Sequence, residues 1–173
     1  MEDKQSRYKM LKELFTLRGD VVITGAAGLM GQSHAEAVLE AGGNVILIDI
    51  NKSKLEKISR EFHEIYQDKV SFFVCDITNE KDVFEVASSI SSESRKIIGL
   101  INNAAINPVV NQKGLENDGS IEKFDLNVWD LELNVGLKGA FICTKVFGQM
   151  MVKNKHGSII NISSDLGLIA PDR

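Results

Sequence analysis

The chain holds little of what marks several large protein classes. Among 173 residues there are two cysteines, two prolines and one tryptophan. Cys75 and Cys143 lie in apolar settings without metal-ligand spacing. That excludes a disulfide scaffold or a zinc module, and the pair reads as reduced core thiols of a cytosolic, hence cytoplasmic, protein. A basic excess is missing as well: 20 Lys and Arg stand against 24 Asp and Glu, a formal net charge of -4. Nucleic acid normally demands the reverse, a positive footprint. No apolar run nears the ~20 residues that span a bilayer; the blocks are short, such as Val45-Ile46-Leu47-Ile48. The opening stretch, MEDKQSRYKMLKELF, mixes both charges and lacks the apolar core of a signal peptide. Nucleic acid and membrane therefore drop out as partners. There are no repeats and no low-complexity tracts, and Tyr8 and Tyr66 are the two tyrosines.

What is present suffices for a core. The chain is 43% apolar and 25% charged, which excludes disorder, and the length fits one compact domain at ~150 residues each. Short apolar runs at 21–24, 45–49, 70–76, 97–102 and 158–163 alternate with longer amphipathic stretches. The runs are nearly continuous in apolar residues, as in parallel strands buried on both faces. Between them, Ala35, Val38 and Leu39 keep a helical period that Gly42-Gly43 stops. Leu55, Ile58 and Phe62 mark a second helix, and Val83, Val86 and Ile90 a third. A longer fourth, about 128–152, carries Leu137, Phe141, Val146 and Met150. This alternation predicts an α/β, Rossmann-type doubly wound parallel sheet in three layers, with right-handed crossovers. Residues 1–18 form a charged, helical lead-in ahead of the domain at 19–173. Residues 106–126 make a connection longer than the usual ~2–6 residues. It lies at a strand's carboxyl end, where such sheets bind ligands, and reads either as a tolerated insertion or as a cover for substrate.

The first strand runs into Thr24-Gly25-Ala26-Ala27-Gly28-Leu29-Met30-Gly31, and a helix follows. Glycine permits the tight turn and close backbone approach, while the helix start offers N–H groups and a positive dipole end to a pyrophosphate. Asp49 ends the second strand. A carboxylate there accepts the hydroxyls of an adenosine ribose, and it repels the 2′-phosphate of NADP. At ~4 Å and an effective dielectric near 20, one like-charge pair costs ~4 kcal/mol, close to a thousandfold in affinity. No Arg or Lys in the glycine turn compensates, and Ile50 follows Asp49. The reading is NAD(H) over NADP(H); the plainer alternative makes Asp49 a helix cap.

With that turn, Asp49, Asp76-Ile77-Thr78, Asn102-Asn103-Ala104-Ala105 and the 157–164 segment in hand, the sequence resembles the short-chain dehydrogenase/reductase family. The resemblance runs from about residue 14 to the end. It implies that Gly25, Gly28, Leu29, Met30, Gly31, Asp49, Asp76, Ile77, Asn103, Ala104 and Ala105 contact the cofactor. Asp76 and the Ile77 backbone would meet the adenine, and an Asn amide would tie neighbouring strands together. Of Ser163 and Ser164, the family pattern makes Ser164 catalytic, holding the substrate oxygen. A Ser pair at a strand end also serves as an ordinary turn or cap.

Three departures stand out. Leu29 occupies the place of the middle glycine in the classical pattern, so the turn reads T-G-x-x-G-x-x-G, as in the extended branch of epimerases and dehydratases. Gly136 stands three residues before Gly139-Ala140-Phe141, where the family has a helix asparagine. Asn134 lies two residues, or about 200° of helix, away from that direction, so it is assigned no catalytic role. A mid-helix glycine costs ~1 kcal/mol against alanine, so Gly136 hints at a kink or close backbone packing. Last, no Tyr-x-x-x-Lys follows Ser164. Tyr8 and Lys12 have the spacing but precede the first strand, and Tyr66 has Val70 four residues on. Tyrosine has pKa ~10, and a lysine ammonium beside it lowers that value so that it exchanges protons near neutrality. Ser164 alone positions an oxygen without supplying the proton.

The resemblance implies an NAD(H)-dependent oxidoreductase interconverting an alcohol and a carbonyl by hydride transfer, cut before its tyrosine helix and inactive in this length. Ala105-Ile106-Asn107-Pro108 and Ser164-Asp165-Leu166-Gly167-Leu168-Ile169-Ala170-Pro171 are similar to dehydrogenases of bacterial surface-glycan or flagellin modification. That implies a sugar-like substrate, with Asp165 either facing its hydroxyls or capping a turn. The alternatives are a non-catalytic NAD-binding regulatory module and an extended-type sugar-nucleotide epimerase or dehydratase. No metal is expected. The final strand, left as an apolar edge, and the 128–152 helix imply association into a dimer or tetramer.

Overall fold

A computed structural model describes residues 13–106 and 121–164, together with Ser6, Met10, Val110, Asn111, Gly114 and Leu115. Strands β1 (Asp20–Thr24), β2 (Asn44–Asp49), β3 (Val70–Val74), β4 (Ile97–Asn102) and β5 (Ser158–Asn161) form one sheet in the order β3-β2-β1-β4-β5. Every pairing within it is parallel. Helices α1 (Leu29–Glu40), α2 (Lys52–Tyr66), α3 (Glu80–Ser92), α4 (Leu126–Leu133) and α5 (Ala140–Asn154) connect the strands. The chain moves outward from β1 to β3 and then crosses back to β4. The carboxyl ends of β1 and β4 therefore flank a topological switch point, the place where open α/β sheets bind ligands.

Strand residues alternate between the two faces and build two cores. Val22, Ile46, Ile48 and Leu100 point to the side covered by α3 and α5, where Val83, Ile90, Cys143 and Phe147 are fully buried. Val21, Ile23, Val45 and Leu47 point to the other side, against Ala35, Val38 and Leu39 of α1 and Leu55 of α2. Each fully buried aliphatic side chain contributes about 1.5–3 kcal/mol, so both helical layers are held by the same sheet. Caps fix where the helices begin. Asn51 accepts from Lys54 N–H, Asn79 from Lys81 N–H and Asp125 from Asn127 N–H, each satisfying a donor that lacks an intrahelical partner.

Burial on both faces holds for β1, β2 and β4 but not for all five strands. The outer strands are wetter: β3 alternates half-buried and exposed positions, and β5 is exposed throughout. Both lie at edges of the sheet among the described residues, and an edge strand has less helix above and below it. These two strands, β3 and β5, are also shorter than their apolar runs, ending at Val74 and Asn161. Beyond β5 the pairing continues by one bond, Ile162 N–H to Asn102 O at 2.9 Å.

The long fourth helix is not one α-helix. Between α4 and α5, residues Asn134–Gly139 adopt a π-helix, a widened turn of the kind that bends a helix. Gly136 lies inside that π-turn, and the expected close packing is not there: a Cβ would meet nothing within 4 Å. Close packing falls instead at Gly139, where a Cβ would press on Ile77 Cδ1 at 2.7 Å. That contact lets the helix settle against the loop after β3.

At the amino ends of the strands, Asp20 and Arg95 form a buried ion pair, Nη2 to Oδ1 at 2.6 Å. Asn44 Nδ2 donates to the same oxygen and Arg95 Nη1 donates to Ser71 Oγ. This clamp joins β1, β2, β3 and the approach to β4. In the lead-in, Ser6, Met10, Glu13 and Leu14 have helical backbone, and Leu17 N–H bonds to Ala41 O. Within the long connection, Val110–Asn111 pairs antiparallel with Gly114–Leu115. The rest of that connection from Asn107 to Ser120, the Tyr8–Lys12 pair and Asp165 with its segment lie outside the described residues.

Candidate cofactor site

The site is assembled at the carboxyl ends of β1, β2, β4 and β5, and Thr24 fastens its centre. Its hydroxyl accepts from Asn103 N–H at 3.0 Å and Ala104 N–H at 3.1 Å, and donates to Ile101 O. Asn103 returns the bond, its Nδ2 donating to Thr24 O and Gly25 O. The ends of β1 and β4 are thereby sewn together. Asn102 does the same toward β5, donating through Nδ2 to Asn161 Oδ1 at 2.8 Å and Thr144 Oγ1 at 3.1 Å. The strand-tying role expected of one Asn amide is shared by both.

Two glycines of the turn have no substitute. Gly25 has φ +62°, and a Cβ would sit 2.7 Å from Ala104 Cα. At Gly31 a Cβ would collide with Gly25 O and approach Ala26 Cα at 2.7 Å. Both contacts are with backbone, which has no room to yield. Gly28 caps α1, and the first intrahelical bond runs from Gln32 N–H to Gly28 O. The N–H groups of Leu29, Met30 and Gly31 precede that bond, so the helix start directs donors and a positive dipole end at the cleft.

Asp49 is held in place by two main-chain donors. Ala27 N–H donates to Oδ2 at 2.9 Å and Asn51 N–H to Oδ1 at 2.8 Å. A carboxylate has about four acceptor positions, so each oxygen keeps one for a ligand hydroxyl. Asp49 therefore braces the glycine turn while still presenting acceptors; Asn51, two residues on, is the helix cap. Asp76 is arranged likewise: Oδ1 accepts from Thr78 N–H and Oγ1, which orients Oδ2 for another donor.

Two adjoining cavities share Gly25, Asp49, Ala104 and Ala105. The first, about 220 Å³, is walled by Asp76, Ile77 and Thr78 after β3, by Ile50 and Ile106, and by Leu131 and Val135 from the bent helix. The second, about 610 Å³, is lined by Gly28, Leu29 and Met30 from the glycine turn and helix start, by Asn103, and by Ile162, Ser163 and Ser164 after β5. Gly31 lines neither; it works beneath the turn. An apolar slot beside two carboxylates, a helix start and a second cleft ending on serines fits a dinucleotide in donor set and shape. Among the described residues no group of three His, Cys, Asp or Glu side chains could hold a metal ion.

The sequence missed Thr24 as the fastener and Leu131 and Val135 as walls. Their four-residue spacing marks one helix face, but nothing local says that this face returns over β3. Tyr66 lies away from the cleft, in a tilted contact with Phe62 and near Glu36 and Glu40 of α1. Burial and then Glu40 and Glu36 push its phenol upward, the wrong direction for a proton donor near neutrality. Cys75 borders the first cavity, yet burial, with Asp82 and Asp76 nearby, pushes its thiol up to about 12. Both thiols are unpaired and buried.

Comparison with known proteins agrees with this geometry. The family model described as short chain dehydrogenase matches residues 20–172. The chain is 35% identical over 143 residues to (2S)-[(R)-hydroxy(phenyl)methyl]succinyl-CoA dehydrogenase subunit BbsD of Thauera aromatica, covering 83% of this chain and 54% of that protein. It is 31% identical over 153 residues to 3-oxoacyl-[acyl-carrier-protein] reductase FabG of Thermotoga maritima, covering 88% and 58%. The crystal structure of NAD+-bound xylitol dehydrogenase superimposes with a TM-score of 0.78 at 26% identity, covering 88% of this chain and 55% of the other. The chain thus spans a little over half the length of the proteins it matches. With the parallel sheet, the glycine turn and the strand-end motifs in their places, it belongs to the short-chain dehydrogenase/reductase family of oxidoreductases.

Proposed function

We propose that the chain is the cofactor-binding portion, with the catalytic serine, of an NAD(H)-dependent oxidoreductase that interconverts an alcohol and a carbonyl. The observation that carries this reading is Asp49, held by Ala27 and Asn51 N–H groups at the mouth shared by both cavities. The adenosine ribose would lie against Asp49, the adenine between Ile50, Ile77 and Leu131, and the pyrophosphate over the N–H groups of Leu29, Met30 and Gly31. When bound, the nicotinamide accepts or donates hydride. Asp76 would take an amino hydrogen through Oδ2, and Asn103, Ala104 and Ala105 would form the floor. Ser164, which lines the larger cavity, would hold the substrate oxygen by donating its hydroxyl hydrogen.

Hydride delivery to a carbonyl leaves an alkoxide, and serine has no acidity near neutrality with which to protonate it. The Tyr-x-x-x-Lys pair that serves the family is not in this sequence after Ser164. The 173-residue chain is therefore expected to bind dinucleotide and to turn over alcohols negligibly. A sugar-like substrate from surface-glycan or flagellin modification is the finer reading, supported by the likeness of the segments around Ala105 and Ser164. The unpaired, buried thiols fit a cytoplasmic setting. Exposed Leu126, Trp129, Leu137, Phe141 and Val152 along α4–α5 support a homodimer or tetramer through that helix, which light scattering would detect.

The test is a pair of titrations. The wild-type chain is expected to bind NADH about a hundredfold to a thousandfold more tightly than NADPH, since a like-charge pair at ~4 Å and an effective dielectric near 20 costs ~4 kcal/mol. Asp49→Ser is expected to remove most of that gap. Equal affinities in the wild type would overturn the NAD(H) assignment.

A further inference from the structure

Leu29 is an anomaly of position. It stands where the classical family pattern has glycine, and it is an apolar side chain 85% exposed at the first residue of α1. The neighbouring Met30 is 55% exposed. Isolated exposed leucines are common and need no explanation. This one lines a cavity of about 610 Å³ together with Ile162, Ser163 and Ser164. Its own backbone N–H is among the donors at the helix start. Any group bound there by the N–H groups of Leu29, Met30 and Gly31 must lie beside the Leu29 side chain. Packing does not force glycine at this place either: the backbone collisions that demand glycine occur at Gly25 and Gly31.

We propose that Leu29 is an affinity-determining residue for the part of the cofactor beyond its adenosine: an apolar flap that folds over the phosphates and the nicotinamide half and shields them from water. This rests on the dinucleotide reading above and deepens it. The flap has two physical consequences. Apolar surface that is wet in the free protein becomes dry on binding, which favours the complex. Water is also displaced from the N–H-to-phosphate bonds, which strengthens them by lowering the local dielectric. The contribution goes to the half of the ligand that reaches Leu29 and none of it to the adenosine end, whose walls are Asp49, Asp76 and Leu131.

The test uses the full chain with NADH and adenosine as probes, adenosine being the part that stops short of the phosphates and of the flap. Leu29→Ala is expected to weaken NADH about tenfold, which is about 1.4 kcal/mol, and to leave adenosine within twofold. Leu29→Met, keeping length and apolarity, is expected to hold NADH within threefold. Leu29→Gly restores the pattern glycine and is expected to bind NADH no better than Leu29→Ala. Thermal midpoints of Leu29→Ala and Leu29→Met without ligand should match wild type, because the side chain is wet in the free protein. Unchanged NADH affinity in Leu29→Ala, equal losses for NADH and adenosine, or tighter binding by Leu29→Gly would each overturn the proposal while leaving the dinucleotide reading intact. Failure of the wild-type chain to bind NADH would overturn both.

Discussion

Thr24→Val tests the fastening of the site most sharply. Thr24 is 1% exposed, and valine has nearly its shape, so packing is preserved while the hydroxyl is lost. Two main-chain donors lose their acceptor, Asn103 N–H at 3.0 Å and Ala104 N–H at 3.1 Å. A buried donor left without a partner costs about 1–3 kcal/mol. Both residues are only half-buried, so the lower half of that range applies to each, giving about 2–4 kcal/mol in total. At about 2–4 °C per kcal/mol for a chain of this size, the thermal midpoint should fall by about 4–16 °C. Calorimetry on wild type, Thr24→Val and Thr24→Ser decides the cause. Serine keeps the hydroxyl and loses a buried methyl, so hydrogen bonding predicts Ser above Val and apolar packing predicts the reverse. A Thr24→Val protein as stable as wild type, or more stable than Thr24→Ser, would refute the reasoning.

Three further outcomes follow from the same structure. Arg95→Met should cost about 3–5 kcal/mol by chemical denaturation, because it strands Asp20, whose side chain is 6% exposed. Adding Asp20→Asn should recover part of that loss. Gly136→Ala should stabilise the chain by about 0.4–1 kcal/mol, since the added methyl meets nothing and the unfolded chain loses freedom; destabilisation would mean that the π-turn requires glycine. Cys75 and Cys143, both pushed up to about 12 by burial, should resist a thiol reagent at pH 8 and react only on unfolding. Raised thiol values mean protonated, unreactive sulfur at that pH, and rapid native labelling of either would contradict it.

Much of the fold was legible because periodicity and punctuation coincide in this sequence. The apolar runs of β1, β2 and β4, the helical spacing of Ala35, Val38 and Leu39, and the Gly42-Gly43 stop all report local conformations that the sheet then reinforces. The candidate site was legible where a glycine or polar residue closes a strand: Gly25, Asp49, Asp76 and Asn103 all line the paired cavities. What failed was set by distance rather than pattern. Burial of β3 and β5 depends on what lies beside an edge strand, which no run of valine and isoleucine encodes. The π-turn at Asn134–Gly139 arises where Gly139 must close on Ile77, 62 residues away in sequence. Thr24 looked like the last residue of a strand; its hydroxyl matters because Asn103 and Ala104 arrive there from β4.

The central claim is that one chain of this length builds a complete dinucleotide cleft running from Asp76, past Asp49 and the glycine turn, to Ser164. A crystal structure of the chain with NAD+ tests it most directly. The account predicts both ribose hydroxyls of the adenosine within hydrogen-bonding distance of Asp49, the pyrophosphate over the start of α1, and the nicotinamide beside Ser164. A dinucleotide seated elsewhere, or one whose adenosine ribose turns away from Asp49, would contradict it.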